Sequence, residues 1–214
     1  MNFQTILNLL FPPKCPFCGK VQDAPGICPA CQTALPWTAG AEQEQTLPDK
    51  LRCASPLWYE GPAREGMLRY KFQGAPGAAD VLGGLVAECA AEHFAGEFDT
   101  VTYVPVSRRR LRRRGYDQAR LLAEAAGRRW DTAPVTLLRK TGDNPPQSGL
   151  SDGAARRANV LGMYEPSGDA AGKRILLVDD IVTTGATLCE CARTLRQAGA
   201  ASVVCVTVCR ARQK

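Results

Sequence analysis

Ile175-Leu-Leu-Val178-Asp179-Asp180-Ile-Val-Thr183-Thr184-Gly185-Ala186-Thr187 is the stretch that decides the fold. Ile175 to Val178 is a continuous β-rich run, the pattern of a parallel strand buried on both faces. Two acids follow at its carboxyl end, where ligands bind in open α/β sheets. Thr183, Thr184 and Thr187 supply hydroxyls, and Gly185 lets backbone approach a ligand closely. The next residues, Gly185 to Gln197, read as a helix that stops at Gly199. The unpaired N–H groups and positive dipole end of such a helix favour a phosphate. Two carboxylates favour a hydrogen-bond donor such as a ribose diol. Simple helix capping by Asp180 and the threonines is the plainer reading, and the adjacent acids after an apolar strand weigh against it. A nucleoside triphosphatase reading fails, because no Gly-x-x-x-x-Gly-Lys-Ser/Thr loop occurs in the chain.

Strand-like and helix-like segments alternate from about Leu51, as in an α/β domain. Ser55 to Glu60 reads as an edge strand, Ala78 to Phe94 as a helix and Val101 to Val104 as a short strand. Asp117 to Trp130 reads as a second helix, Val135 to Leu138 as a strand and Ala201 to Val208 as the last strand. Lys140 to Gly149 is a long irregular stretch of the functional or mobile kind. Trp37 to Pro48 reads as a polar linker. Two units are therefore expected: residues 1–50, a small metal module with a short N-terminal helix and a linker, and residues 51–214, the α/β domain.

The chain has 214 residues, 45% of them hydrophobic and 22% charged, a globular composition. It contains no long apolar span, so no transmembrane segment is expected. Met1 to Phe11 has an apolar stripe but neither a basic start nor a small-residue cleavage site. It reads as a short helix that packs or associates, ended by Pro12-Pro13. The net charge of +6 has one conspicuous source: Arg108, Arg109, Arg110, Arg112, Arg113 and Arg114. Such a run implies an anionic partner or a solvated basic face.

Cys15-Pro-Phe-Cys18 and Cys28-Pro-Ala-Cys31 are two Cys-x-x-Cys turns separated by nine residues. Four thiolates complete a closed tetrahedral site, structural and not catalytic, for zinc or for iron. Short modules of this kind fold because the metal replaces the missing core. The metal ligands expected are Cys15, Cys18, Cys28 and Cys31, and ligands in place of disulfides suit a reducing compartment. The other six cysteines read as buried, inert thiols. His93, the only histidine, has no metal-partner spacing.

The Val178–Thr187 segment resembles the ribose-phosphate motif of type I phosphoribosyltransferases. Lys71-Phe-Gln-Gly74, Val104-Pro-Val106, Arg114-Gly-Tyr-Asp-Gln118, Gln147-Ser-Gly-Leu150 and Arg156-Arg-Ala-Asn159 narrow the likeness to the ComF family, associated with natural competence. It spans Pro13 to Arg210. Ser107 departs from the pattern where a second Pro is usual, and Tyr116-Asp117 replaces Phe-Asn.

The resemblance implies a parallel sheet flanked by helices behind an N-terminal zinc ribbon, with 5-phosphoribosyl-1-diphosphate as ligand and magnesium beside the diphosphate. Asp179 and Asp180 would hold the ribose hydroxyls and could assist proton movement, so they are the catalytic candidates. Thr183, Thr184, Gly185, Ala186 and Thr187 would wrap the 5-phosphate. Arg108, Arg114, Lys71 and Arg156 are the cations expected at the ligand, Arg being suited by its planar fork. Residues 139–159 resemble the flexible loop that covers the site. Single-stranded DNA and DNA-uptake proteins at the inner membrane are the implied partners. The implied location is the cytoplasm or the inner face of that membrane. Two functions follow: phosphoribosyl transfer to an unknown acceptor, or a non-catalytic sensor and adaptor. A purely structural adaptor is the third and weakest.

Overall fold

The computed structural model describes residues 12–72, 76–142 and 160–212. The helix expected over Met1–Phe11, Gln73 and Gly74, and most of the 139–159 loop with Arg156 lie outside the described residues.

The main sheet is built on two long strands, β7 (Arg174–Val182) and β8 (Ser202–Arg210), paired in parallel from Arg174↔Ser202 to Val182↔Arg210. β4 (Thr100–Tyr103) lies parallel on the far side of β7. On the other edge β8 pairs in parallel first with β2 (Leu51–Ala54) and then with β3 (Leu57–Trp58). β1 (Glu44–Leu47) closes that edge, antiparallel to β2. Side chains alternate between faces along each strand, and the core divides accordingly. Leu176, Val178, Val204, Val206 and Val208 face one apolar cluster. Ile175, Leu177, Val203 and Cys205 face the other.

The first face is covered by helices α2 (Gly61–Phe72), α3 (Ala79–Phe94) and α5 (Gln118–Gly127). The second carries α6 (Ala186–Gln197), whose Leu188, Cys191, Ala192 and Leu195 belong to its cluster. Two further helices precede and interrupt this order: α1 (Pro29–Ala34) in the cysteine module, and α4 (Arg108–Arg114), which is the arginine run itself. A separate antiparallel pair, β5 (Leu138–Lys140) with β6 (Tyr164–Pro166), brings the two ends of the 141–163 stretch together.

Several sequence expectations shift. The polar linker is not featureless: its Glu44–Leu47 segment forms β1. The edge strand expected at 55–60 shortens to Leu57–Trp58, separated from β2 by Ser55-Pro56, where Pro has no N–H to donate. Arg108–Arg114, which the sequence marks only by its charge, forms a helix. Ser107 caps its start by accepting from Arg110 N, Gly115 ends it, and Arg is a good helix former. The strand expected at 135–138 begins only at Leu138. Val135 N donates to Val101 O, and Thr102 Oγ1 donates to the Val135 carbonyl, so this stretch follows β4 without a ladder of its own. The strand under the acids, expected to end at Val178, runs on to Val182 because β8 continues to pair it.

Candidate ligand site and metal centre

The extension of β7 decides where its two acids point. Asp179 continues the odd-numbered face toward α6, and Asp180 the even-numbered face toward α2. The carboxylates that the sequence presents as adjacent are thus divided between the two faces of the sheet. Asp179 lines a hollow of about 70 Å³ with Val160, Thr183, Thr184, Gly185, Ala186 and Thr187. That volume suits a single phosphate-sized group and is well below a whole small-molecule pocket. Gly185 (φ +76°) is the cap residue of α6, a backbone conformation that side chains avoid. It turns the chain from β7 into the helix, and the first N–H groups of α6 are left without intrahelical partners.

Burial pushes the Asp179 carboxyl up to about 8, and the neighbouring Asp180 charge adds to the effect. Lys71 and the Asp180 N–H, which donates to Asp179 Oδ1 at 2.8 Å, work against it. Asp180, 8% exposed, is ion-paired with Lys71 Nζ at 2.9 Å. The last turn of α2 therefore reaches the carboxyl end of β7, and the lysine singled out from the sequence touches one of the two acids.

Arg114 and Arg108 part company. Arg114 turns inward: its guanidinium sits 4.8 Å from the Phe72 ring centroid, and Nη1 donates to Gln118 Oε1 at 2.7 Å. Burial lowers its pKa, opposed by the Asp180 charge, and its buried Nε has no hydrogen-bond partner among the described residues. Arg108 is exposed and borders a different cavity, of about 440 Å³, with Asp117, Arg120, Arg139 and Lys140.

Asp117, which departs from the family pattern, has a structural task. It caps α5 by accepting from Arg120 N at 3.2 Å and also accepts from Val106 N at 3.0 Å. Burial raises its pKa while those donors oppose. Sequence reading gave no role to Phe72, Tyr70 or Tyr116. Tyr70 OH donates to the Gln118 carbonyl at 2.9 Å, and Tyr116 OH to the Tyr70 carbonyl, tying α2 to the start of α5. Their aromatic character beside Lys71 and Arg114 was the available signal.

The ligand atoms of Cys15, Cys18, Cys28 and Cys31 lie within 4.8 Å of one another, with Cys18 and Cys28 Sγ 3.7 Å apart. A tetrahedron of Zn–S bonds of about 2.3 Å puts its sulfurs roughly 3.8 Å apart, so the four residues fit one zinc ion. Burial alone would raise Cys15, but the N–H groups of Cys28, Cys18 and Phe17 bring it down to about 7. Cys31 is pushed up, by burial first and then by the neighbouring thiols, a crowding that a cation would relieve. Of the remaining six cysteines, Cys53, Cys89, Cys191, Cys205 and Cys209 are buried and burial raises their thiols, as befits inert core residues, whereas Cys189 is only half-buried, against expectation. Among the described residues no helix is long and apolar enough to cross a membrane.

Residues 86–214 match the phosphoribosyl transferase domain family, and residues 6–42 match the double zinc ribbon domain. The chain is 36% identical over 116 residues to the DNA utilization protein YhgH of Escherichia coli O6:H1, covering 52% of this chain and 49% of that protein. It is 27% identical over 197 residues to the competence protein ComFC of Bacillus subtilis, covering 92% and 77%. With ComFC of Streptococcus pneumoniae it shares 31% over 145 residues, covering 68% and 62%. The matched region thus spans about half the length of the YhgH relatives. With a zinc-ribbon module ahead of a phosphoribosyl transferase domain, the chain belongs to the phosphoribosyl transferase domain family and, within it, to the ComF family.

Proposed function

We propose that the chain binds 5-phosphoribosyl-1-diphosphate at the carboxyl end of β7 and acts in the use or uptake of DNA. The carrying observation is the Asp179-flanked hollow under the Thr183–Thr187 turn, in a chain of this family. In this reading the turn holds the 5-phosphate with backbone N–H groups and threonine hydroxyls. Asp179 and Asp180 hold the ribose hydroxyls, and Lys71 and Arg114 face the diphosphate. Arg108 and Arg156 are the more distant cations. Magnesium bound with the diphosphate would offset its charge, and the carboxylate oxygens are the hard ligands that ion takes.

If the chain is catalytic, an acceptor attacks the anomeric carbon as its bond to diphosphate breaks. The proton leaving the acceptor is taken by Asp179, whose raised pKa lies near working pH, as suits a general base. The proposed division of labour has residues 1–50 carry the zinc module and 51–214 the ligand domain, with Glu44–Leu47 of the first unit completing the sheet of the second. The proposed location is cytoplasmic, or peripheral at the inner membrane.

A second reading keeps the ligand and drops transfer: a sensor whose arginine helix holds single-stranded DNA or uptake proteins. One observation favours it. Arg108, Arg109, Arg112 and Arg113 are exposed on α4, and the Phe72 ring, 57% exposed, lies under Arg114 of the same helix. Cations with an open aromatic face are the combination that single strands use.

Calorimetric titration of phosphoribosyl diphosphate with magnesium tests the central claim. Wild type is expected to bind and Asp179→Asn/Asp180→Asn to lose binding; a wild type that gives no heat and gains no thermal protection overturns it. Product formation with candidate bases separates enzyme from sensor. Oligonucleotide affinity that falls steeply with salt, and more shallowly after Arg109→Glu/Arg112→Glu, supports the DNA arm.

A further inference from the structure

The proposed phosphate turn has an apolar side as well as a polar one, and the apolar side is not closed by the domain's own helices. A Cβ built on Gly185 would meet Leu47 Cδ2 at 2.8 Å, Cδ1 at 3.0 Å and Cγ at 3.2 Å. Leu47 is the last residue of β1, 3% exposed, and belongs to the same cluster as Val182, Ala186 and Leu188, which flank the turn on either side. The residues after it stay on α6: the Pro48 carbonyl lies 3.6 Å from Cys189 Sγ, and the Asp49 carbonyl accepts from Arg196 Nη1 at 3.3 Å. The contact therefore sits beneath the turn and continues along the helix that the turn begins.

We infer that Leu47 is a positioning residue for the ribose-phosphate turn, wedged behind Gly185 so that the Thr183–Thr187 backbone is held open toward its ligand. This deepens the proposed function and rests on that reading for the identity of the ligand. A turn of this kind must hold several N–H groups at one point, and it binds an anion well only if it need not be ordered first. On the polar side the one side-chain brace within the turn among the described residues is long: Ala186 N donates to Thr184 Oγ1 at 3.5 Å. Gly185 has none of its own, and the only described interaction of its carbonyl is with Cys189 N, one turn into the helix. Leu47 supplies the missing brace from outside.

The brace also has an address. Leu47 lies thirteen residues beyond Ala34, the end of α1. The intervening chain is fixed to the sheet by the Trp37↔Leu57 bridge, by Thr38 N donating to the Pro56 carbonyl and by Thr38 Oγ1 donating to the Ser55 carbonyl. The segment that leaves the cysteine module therefore ends against the ligand turn. β1 is neither a passive edge nor a simple linker.

The test compares Leu47→Ala with Leu195→Ala, a fully buried leucine of the same cluster on α6 that does not touch Gly185. Two readouts are taken on the full chain at matched global stability, set by temperature. One is amide hydrogen exchange in the ligand-free protein, Thr183–Thr187 against Val203–Val208. The other is affinity for phosphoribosyl diphosphate with magnesium. Leu47→Ala is expected to speed exchange selectively at Thr183–Thr187 and to weaken binding roughly ten-fold or more, the lower end of what losing the outer-shell support of a metal ligand costs. Leu195→Ala should do neither, and Leu47→Met, which conserves volume, should restore both.

Equal effects of the two alanine variants, or unchanged exchange at the turn in Leu47→Ala, would overturn the inference. A wild type that binds no phosphoribosyl diphosphate while Leu47→Ala still loosens the turn selectively would leave Leu47 as the brace and remove the ligand assignment. Tight binding by wild type and Leu47→Ala alike would do the reverse.

Discussion

In the cysteine module two short turns converge on a point, while in β7 and β8 nine residues on each side bury themselves along a line. The module commits four polarizable thiols to one centre and has little apolar surface of its own to bury. Between Arg174 and Asp179 the strand β7 commits no polar chemistry: Ile175 to Val178, and Cys205, Val206 and Val208 of β8, are all 0% exposed. Yet the two regions are not independent. Phe17, between the first two cysteines, is also 0% exposed, and it reaches full burial against the domain. A Cβ on Gly66 of α2 would meet Phe17 Cδ1 at 2.7 Å, and Arg69 of the same helix donates to the Phe17 carbonyl. Cys15, Cys28 and Cys31 belong to the same cluster as Met67, Tyr70 and Val206. The lesson is that a metal can shape a segment that lacks a core, and that the segment then lends Phe17 to a neighbour's core.

The largest expected effect tests that joint. Replacing Cys28 and Cys31 by Ser should take bound zinc from one ion per chain to none. It should also lower the melting temperature of the whole protein, because Phe17 loses the frame that aims it at Gly66. Structural zinc sites in isolated fingers bind with about 10–16 kcal/mol at neutral pH, ample to dominate a domain's stability. Metal analysis and calorimetry of the same sample decide it. A main transition that stays in place after zinc is gone would make the module a passenger. Next in size is Phe17→Ala, which should cost about 3–5 kcal/mol, as for other buried aromatics, with zinc content unchanged. Denaturant unfolding checks the first number and metal analysis the second. A cost below about 1 kcal/mol would mean that the module touches the domain without stabilising it.

Much of this was legible in the residues. The Cys-x-x-Cys spacing identifies the four sulfurs that meet, and the apolar runs before Asp179 and over 201–208 identify the central strands. What escaped was set by partners far away in sequence. Glu44–Leu47 reads as linker because nothing local marks it as a strand; its pairing with Leu51–Ala54 and the Gly185 contact are tertiary. The acids look like the end of a strand because Asp is a poor strand former. Pairing of Asp179 with Thr207 and Ile181 with Cys209 carries β7 through them and sends the two carboxylates to opposite faces. Lys71 was singled out from a motif, but its contact with Asp180 depends on where α2 ends. Asp117 was legible in principle: an Asp one residue before a helical run is an N-cap signal, and here the cap outweighs the charge.

The smallest effect per step separates the two regions by pH. In the sheet, Asp179 has a folded pKa of about 8, raised by burial from an ordinary value near 4. Between those values the folded state holds a proton that the unfolded state has released. Stability from this group is therefore full below about pH 4, declines as pH rises, and levels off above about pH 8, by at most roughly 1.4 kcal/mol per pH unit. Asp179→Asn removes the titration, so its advantage over wild type should grow from pH 5 to pH 8. In the module the sign is opposite. Zinc needs thiolates, protons compete for Cys15, Cys18, Cys28 and Cys31, and metal is released more readily as pH falls. Melting temperatures of wild type and Asp179→Asn across pH 5–8, with zinc release followed by a chromogenic chelator, read both slopes in one series. An Asn variant whose advantage stays flat with pH would mean that Asp179 is ionised throughout. The hollow beside the turn would then present a charged carboxylate, and Asp179 would be too weak a base at neutral pH to take the acceptor's proton.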